Sequence, residues 1–298
     1  MKSMLIFTFL IFIRFGSGVV AEDIIAPGAE LQKVATGFQF TEGPASDSKG
    51  HVYFTDQPND RILMWTTDNE LVTFMHPSGR ANGLCFDSAG NLWACADAQN
   101  ELWKIDMQKN VTVVVDEFNG KLLNGPNDVW LTPQDGIYFS DPYYKRSYWT
   151  RDQDKLAVQG VYYLPPDHKT MRRVIDDLEQ PNGIIGTPDG KTLYVTDIRA
   201  GKTYSYSILE NGDLTDKTLF CEMGSDGMTL DEQGNLYLTN RSGVTIFNKA
   251  GEQIEQIPTG AGWTANVCFG GADKKTLFVT AMDGLYAIRM NVRGAGSQ

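Results

Sequence analysis

Six times along this chain a Glu, Asn or Asp opens a unit of one short apolar strand, a polar turn and a second apolar or aromatic strand. The openings are Glu42-Gly43-Pro44, Asn82-Gly83-Leu84, Asn127-Asp128-Val129, Asn182-Gly183-Ile184, Asp226-Gly227-Met228 and Asn266-Val267-Cys268. They are spaced 40, 45, 55, 44 and 40 residues apart. That is the period of a four-stranded propeller blade. A sandwich of unrelated hairpins does not require a polar residue at the same phase of every unit. The repeat therefore predicts an all-β fold, a six-bladed β-propeller of four-stranded antiparallel blades. The last unit supplies only three strands, Val267–Phe269, Thr276–Thr280 and Gly284–Arg289. Its missing outer strand is expected from Glu30–Thr36, which would close the ring and hide both of its edges.

Composition agrees with many short strands and tight turns: 30 Gly and 33 aromatic residues accompany a 42% hydrophobic content. Residues 1–21 stand apart. Lys2 precedes an apolar run from Met4 to Ile13, and Val19-Val20-Ala21 offers a small residue for cleavage. This predicts a secretory signal peptide, the run being too short to span a bilayer. Residues 22–298 are then one propeller domain, secreted or periplasmic and free of the membrane after cleavage. Losing Lys2 and Arg14 takes the formal charge from −11 to −13. So acidic a surface repels nucleic acid and suits a neutral substrate or a cation. Cys85, Cys95, Cys221 and Cys268 form no zinc motif, and free thiols packed as apolar groups are the expectation. Nothing in the sequence fixes the oligomeric state.

In a propeller the first strand of each blade lines the central channel, so the six opening residues should converge at one mouth. Glu42, Asn82, Asn127, Asn182, Asp226 and Asn266 offer two carboxylates and four amides. All are oxygen donors, the set a hard cation takes, and Ca²⁺ fits best, with Mg²⁺, Mn²⁺ or Zn²⁺ as alternatives. A second series, Asp56, Asp97, Asp141, Asp197 and Asn240, ends the second strands. These are expected to be turn caps, with one or two orienting cation ligands. An insertion from Pro142 to Val161 carries Tyr143, Tyr144, Tyr148 and Trp149 with Lys145, Arg146 and Arg151, the composition of a lid over a polyhydroxylated ligand. Tyr143 and Tyr144 are its candidate substrate contacts. His76 is placed near the pocket, His51 and His168 on the surface.

Thr41-Glu42-Gly43-Pro44, Asn124-Gly125-Pro126-Asn127-Asp128, Pro181-Asn182-Gly183, Asp226-Gly227-Met228 and Tyr138-Phe139-Ser140-Asp141-Pro142-Tyr143 resemble segments of the gluconolactonase/regucalcin (senescence marker protein) family. The resemblance runs in order from about Gly37 to the C-terminus. It implies a six-bladed propeller with one catalytic divalent cation bound by Glu42, Asn182 and Asp226. Asn127 would be a further ligand, or act through water and substrate. Asp128 would touch substrate, and Arg80 and Asn82 would lie at the pocket rim. One position departs: such relatives often carry Glu-His after the Cys of the second blade, where this chain has Cys95-Ala96-Asp97. The expected activity is hydrolysis of a sugar lactone of the glucono-1,5-lactone type, the ester carbonyl polarised by the cation and the attacking water assisted by Asp226, or secondarily Asp128, as base. Two readings compete with it, a phosphotriesterase- or arylesterase-like hydrolase on the same site, and a secreted calcium-binding propeller without activity.

Overall fold

The structure is a computed structural model that describes residues 23–149 and 156–296. The signal peptide expected at 1–21, and Arg151 of the insertion, lie outside these residues.

The chain opens with β1 (Gln32–Thr36) and then builds six four-stranded antiparallel sheets. The first blade holds β2 (Thr41–Ser46), β3 (Val52–Asp56), β4 (Arg61–Trp65) and β5 (Leu71–Met75). The second holds β6 (Ala81–Phe86), β7 (Leu92–Ala96), β8 (Glu101–Ile105) and β9 (Val111–Val115). A small hairpin, β10 (Glu117–Phe118) and β11 (Lys121–Leu122), leads to the third, made of β12 (Val129–Leu131), β13 (Ile137–Asp141), β14 (Gly160–Leu164) and β15 (Arg172–Ile175). The fourth holds β16 (Pro181–Gly186), β17 (Thr192–Asp197), β18 (Lys202–Ile208) and β19 (Leu214–Cys221), and the fifth β20 (Met228–Leu230), β21 (Leu236–Asn240), β22 (Gly243–Phe247) and β23 (Gln253–Ile257). The sixth is β24 (Thr264–Gly270), β25 (Thr276–Ala281) and β26 (Gly284–Arg289), completed on its outer side by β1. That ladder pairs Gln32 with Ala287 and Thr36 with Gly284, the closure the incomplete sixth repeat predicts.

Burial explains the strand sequences. β3 reads Val-Tyr-Phe-Thr-Asp and is buried at every position, because both its faces meet neighbouring blades. Strands covered on both faces do not alternate polar and apolar. The outer β9 and β23 are mostly exposed. The hydrophobic core is divided into six clusters, each spanning one blade–blade interface. Phe54 and Leu63 of the first blade meet Cys268, Phe278 and Leu285 of the sixth, so the ring closes through packing as well as through β1.

Side chains fix the turns between first and second strands. Asp47, Asp87 and Asp231 each accept the amides two and four residues ahead through Oδ1, an Asx turn. Thr132 performs the same task in the third blade with its hydroxyl. All four cysteines are unbridged; Cys95, Cys221 and Cys268 are buried, and Cys85 is half-buried between β6 and β12.

Removing β1 should leave β26 as an open edge and uncover the Phe38–Leu285 packing. A chain starting at Gly37 is expected to melt at least about 10 °C below one starting at Glu22 and to self-associate, as read by calorimetry and size-exclusion chromatography.

Candidate active site at the channel mouth

Around the channel axis the blades approach so closely that backbone touches backbone. Gly83 N donates to Asn127 O at 2.8 Å, linking the openings of the second and third blades. The penultimate threonines of β3, β17 and β21 reach across in the same way: Thr55 Oγ1 donates to Asn82 O, Thr196 Oγ1 to Ser225 O and Thr239 Oγ1 to Ala265 O. Two glycines make this possible. A Cβ on Gly43, whose φ is +44°, would lie 2.0 Å from Asn82 O, and one on Gly227 would lie 1.9 Å from Asn266 Cγ. In four blades the first ladder also slips register at the opening residue, a bulge that re-aims the side chain toward the mouth.

This crowding creates a cavity of about 440 Å³ lined by Glu42, Asn82, Asn127 and Asp226, four of the six openings. Asn182 and Asn266 stand directly behind that wall. Asn182 Nδ2 donates to Tyr144 Oη at 2.8 Å, and Asn182 also hydrogen-bonds Asp226, while its Oδ1 is buried without a hydrogen-bond partner. Asn266 Nδ2 donates to Glu42 Oε2 at 3.3 Å. Glu42 is 3% exposed and receives Gly43 N at 2.7 Å on the same oxygen. Asp226 receives Trp263 Nε1 at 2.5 Å on Oδ2.

Among the described residues neither carboxylate forms an ion pair with Lys or Arg. Burial, then the charge of Asp226, pushes the Glu42 carboxyl well above its ordinary range. Burial raises Asp226 to about 6, an effect eased by the bonds from Trp263 and Asn182. A buried carboxylate, Glu42, and a half-buried one, Asp226, neither with an ion-pair partner among the described residues, stand beside an orphaned amide oxygen, a donor set short of positive charge. The residues present fit a hard divalent cation. Among the described residues no cluster of three or more His, Cys, Asp or Glu exists, so amide oxygens would have to complete the coordination. Such an all-oxygen set is the kind that hard cations take.

The other expected site residues are distributed unevenly. Asp128 is buried and does not line the cavity. Its Oδ1 accepts Val129 N and its Oδ2 accepts Ile184 N, and Gly83 and Asn266 adjoin it, so it sits in the channel between blades two, four and six. Burial raises it to about 7. Its carboxylate is committed to backbone amides and is a poor direct contact for substrate. Arg80 is also off the wall; its Nη1 donates to Pro58 O, and its guanidinium stacks 4.3 Å above the Tyr148 ring. Of the insertion tyrosines, Tyr144 lines the cavity and Tyr143 instead packs on Trp149. His76 is exposed and hydrogen-bonds Asp60 O, and no histidine lines the cavity.

The aspartates that end the second strands have an architectural task. Asp56 accepts the amides of Gln39 and Phe40, Asp141 those of Asn124 and Gly125, and Asp197 those of Glu179 and Gln180. In each case these amides lie three and two residues before the opening residue, so the aspartate aims the strand that carries it. In the second blade Asp60 accepts Ser78 N and Arg80 N instead. Asp97 is thereby released, and it binds Arg146 at 2.9 Å and the Tyr148 hydroxyl, while its carbonyl receives Trp149 Nε1. It fastens the insertion across the mouth, where Arg146 and Tyr144 join the wall.

The motif reading missed Phe40, Gln57, Gln180, Ile198, Arg199 and Trp263, all of which line the cavity. The repeat did carry a signal for them. Phe40, Gln180 and Trp263 lie two or three residues before an opening, and Gln57, Ile198 and Arg199 come one or two residues after a strand-ending Asp.

Alanine at Gly43 should force the first and second blades apart. We expect Gly43→Ala to lose about 2–4 kcal/mol of stability and most cation affinity, measured by denaturant unfolding and calorimetric titration. Alanine at the exposed Gly90, where a Cβ would meet nothing within 4 Å, is the control for a second positive-φ glycine.

Comparison with known proteins places this geometry. The profile of the SMP-30/Gluconolactonase/LRE-like region matches residues 40–283. A gluconolactonase of Zymomonas mobilis is 29% identical over 300 residues, spanning 91% of this chain and 84% of its own. The crystallised gluconolactonase of Xanthomonas campestris superposes with a TM-score of 0.84 at 27% identity, over 90% of this chain and 91% of its own. Regucalcin of Agrobacterium tumefaciens, described as a calcium-binding protein, shares the fold at a TM-score of 0.73 and 16% identity, over 89% of this chain and 94% of its own. A match that covers both the six openings and the insertion identifies this chain as a member of the SMP-30/gluconolactonase/LRE-like family.

Proposed function

We propose that this protein hydrolyses a sugar lactone at the channel mouth with the help of one bound divalent cation, calcium in our reading. The observation that carries it is the pair Glu42 and Asp226: two carboxylates at one cavity without an ion-pair partner among the described residues, beside the orphaned Asn182 oxygen. The gluconolactonase relatives supply the reaction class. Glu42, Asn182, Asp226 and Asn127 would hold the cation. When bound, it would supply a Lewis acid for the ester carbonyl and the oxyanion that develops there.

The chain's own residues do the rest. Asp226, fixed by Trp263 and Asn182, takes the proton of the attacking water. The aromatic faces of Phe40, Tyr144 and Trp263 pack against the sugar ring, and Asn82, Gln57 and Gln180 offer amides to its hydroxyls. Arg146 and Tyr144, held by Asp97 and Asn182, narrow the mouth and limit water. The signal-like residues 1–21 make export part of this proposal.

The primary test is pH-monitored hydrolysis of glucono-1,5-lactone, corrected for background, with an aryl ester and an organophosphate in parallel. Chelation should abolish turnover and calcium restore it. Asp226→Asn should lower kcat by at least about 100-fold while the protein remains folded. Preferred turnover of the aryl ester or organophosphate would move the assignment to those esters. No turnover by a folded, calcium-binding protein would leave a binding module.

The titration of the site gives an independent check. Burial has raised Asp226 to about 6 in the cation-free protein, so the stability gained by keeping it protonated is present at acidic pH and lost as pH rises through about 6. A cation needs the ionised form. The calcium-induced rise in melting temperature should therefore be small at pH 5 and large at pH 7.5, with protons released on binding near pH 6. A rise independent of pH would remove Asp226 from the ligand set.

A further inference from the structure

Net charge does not describe the field at this mouth. Five of the nine arginines among the described residues are paired with carboxylates. Of the remaining four, Arg199 lines the cavity, while Arg80 stacks on Tyr148 of the insertion and Arg241 on the cavity residue Trp263, on a chain of formal charge −11. Arg80 is occupied by Pro58 O and the Tyr148 ring, and Arg241 lies 5.4 Å from the ring centroid of the cavity residue Trp263. Arg199 differs from both. It lines the cavity and is exposed, and among the described residues it has no hydrogen bond, ion pair or ring contact.

The charges of the cavity can be matched off. Glu42 and Asp226 would be offset by the one divalent cation proposed above. Arg146 is offset by Asp97 at 2.9 Å. The guanidinium of Arg199 is left over, at the open side of a site whose walls strengthen electrostatic contacts. An uncommitted guanidinium of this kind is a fork for carboxylate or phosphate.

We propose that the site selects a lactone bearing an anionic group remote from the ester, and that Arg199 holds that group. This rests on the lactonase reading above and names its substrate class. The acidic surface favours a neutral substrate only at long range; inside the mouth, within a Debye length, the local cation decides.

The test compares glucono-1,5-lactone, 6-phosphoglucono-1,5-lactone and glucaro-1,4-lactone on the calcium-loaded, full-length mature protein and its Arg199→Ala and Arg199→Lys variants. We expect kcat/KM for an anionic lactone to exceed that for the neutral one by about tenfold or more. Arg199→Ala should reduce the anionic value by at least about tenfold more than the neutral one, and Arg199→Lys should restore part of the difference. Which anionic lactone leads separates phosphate from carboxylate. Calorimetric titration with gluconate, 6-phosphogluconate and glucarate provides a readout without turnover, in which Arg199→Ala should selectively weaken the two acids that carry a second anionic group. Preference for the neutral lactone overturns the proposal, as does an equal loss on all substrates, the result expected if Arg199 meets only the newly formed carboxylate. If no lactone is hydrolysed but anion binding still depends on Arg199, the lactonase reading falls and the anion subsite stands. If neither is seen, both fall.

Discussion

The ladder between Gln32–Thr36 and Gly284–Arg289 joins the two ends of the sequence, and the rest of the molecule depends on that join. A six-bladed ring has no central core. Its apolar surface is divided among six interfaces, each sealing one blade against the next. The N-terminal strand closes the gap between blades six and one and covers an edge that would otherwise recruit another chain.

Closure brings the first strands close enough for backbone contact, and that contact sets the electrostatics. Glu42 and Asp226 are forced together with no ion-pair partner among the described residues, the charge of Arg146 easing Asp226 from across the cavity, in surroundings that disfavour two negative charges. A fold of this kind accepts such a cost where function needs it. Asp128 repeats the situation one level into the channel, with backbone amides in place of a cation.

The aspartates at the ends of the second strands show how a repeat specialises. Asp56, Asp141 and Asp197 aim their own blades. Asp97 occupies the same phase, but because Asp60 has taken over the strand-aiming task, its carboxylate holds the insertion instead. One substituted hydrogen-bond donor set turns a structural position into a part of the mouth.

The number of blades, their strand order, the ring-closing strand and the six opening residues were legible in the sequence. These depend on local physics: turn chemistry such as the Asx turns of Asp47 and Asp231, strand-forming apolar runs, and a period that records how often both recur. The membership of the wall was not. Asp128 follows an opening residue as Gly83 and Gly183 do, yet only the tertiary structure turns its carboxylate onto Ile184 N of the next blade. Asn127 and Asn182 look alike in the repeat, but one lines the cavity and the other supports it through Tyr144 and Asp226. Trp263, Gln57 and Arg199 join the site from segments flanking the strands, whose paths are decided by blade-to-blade packing. A side chain's position along its own strand is a local property; which atoms it meets across a closed ring is fixed only when all six blades are in place.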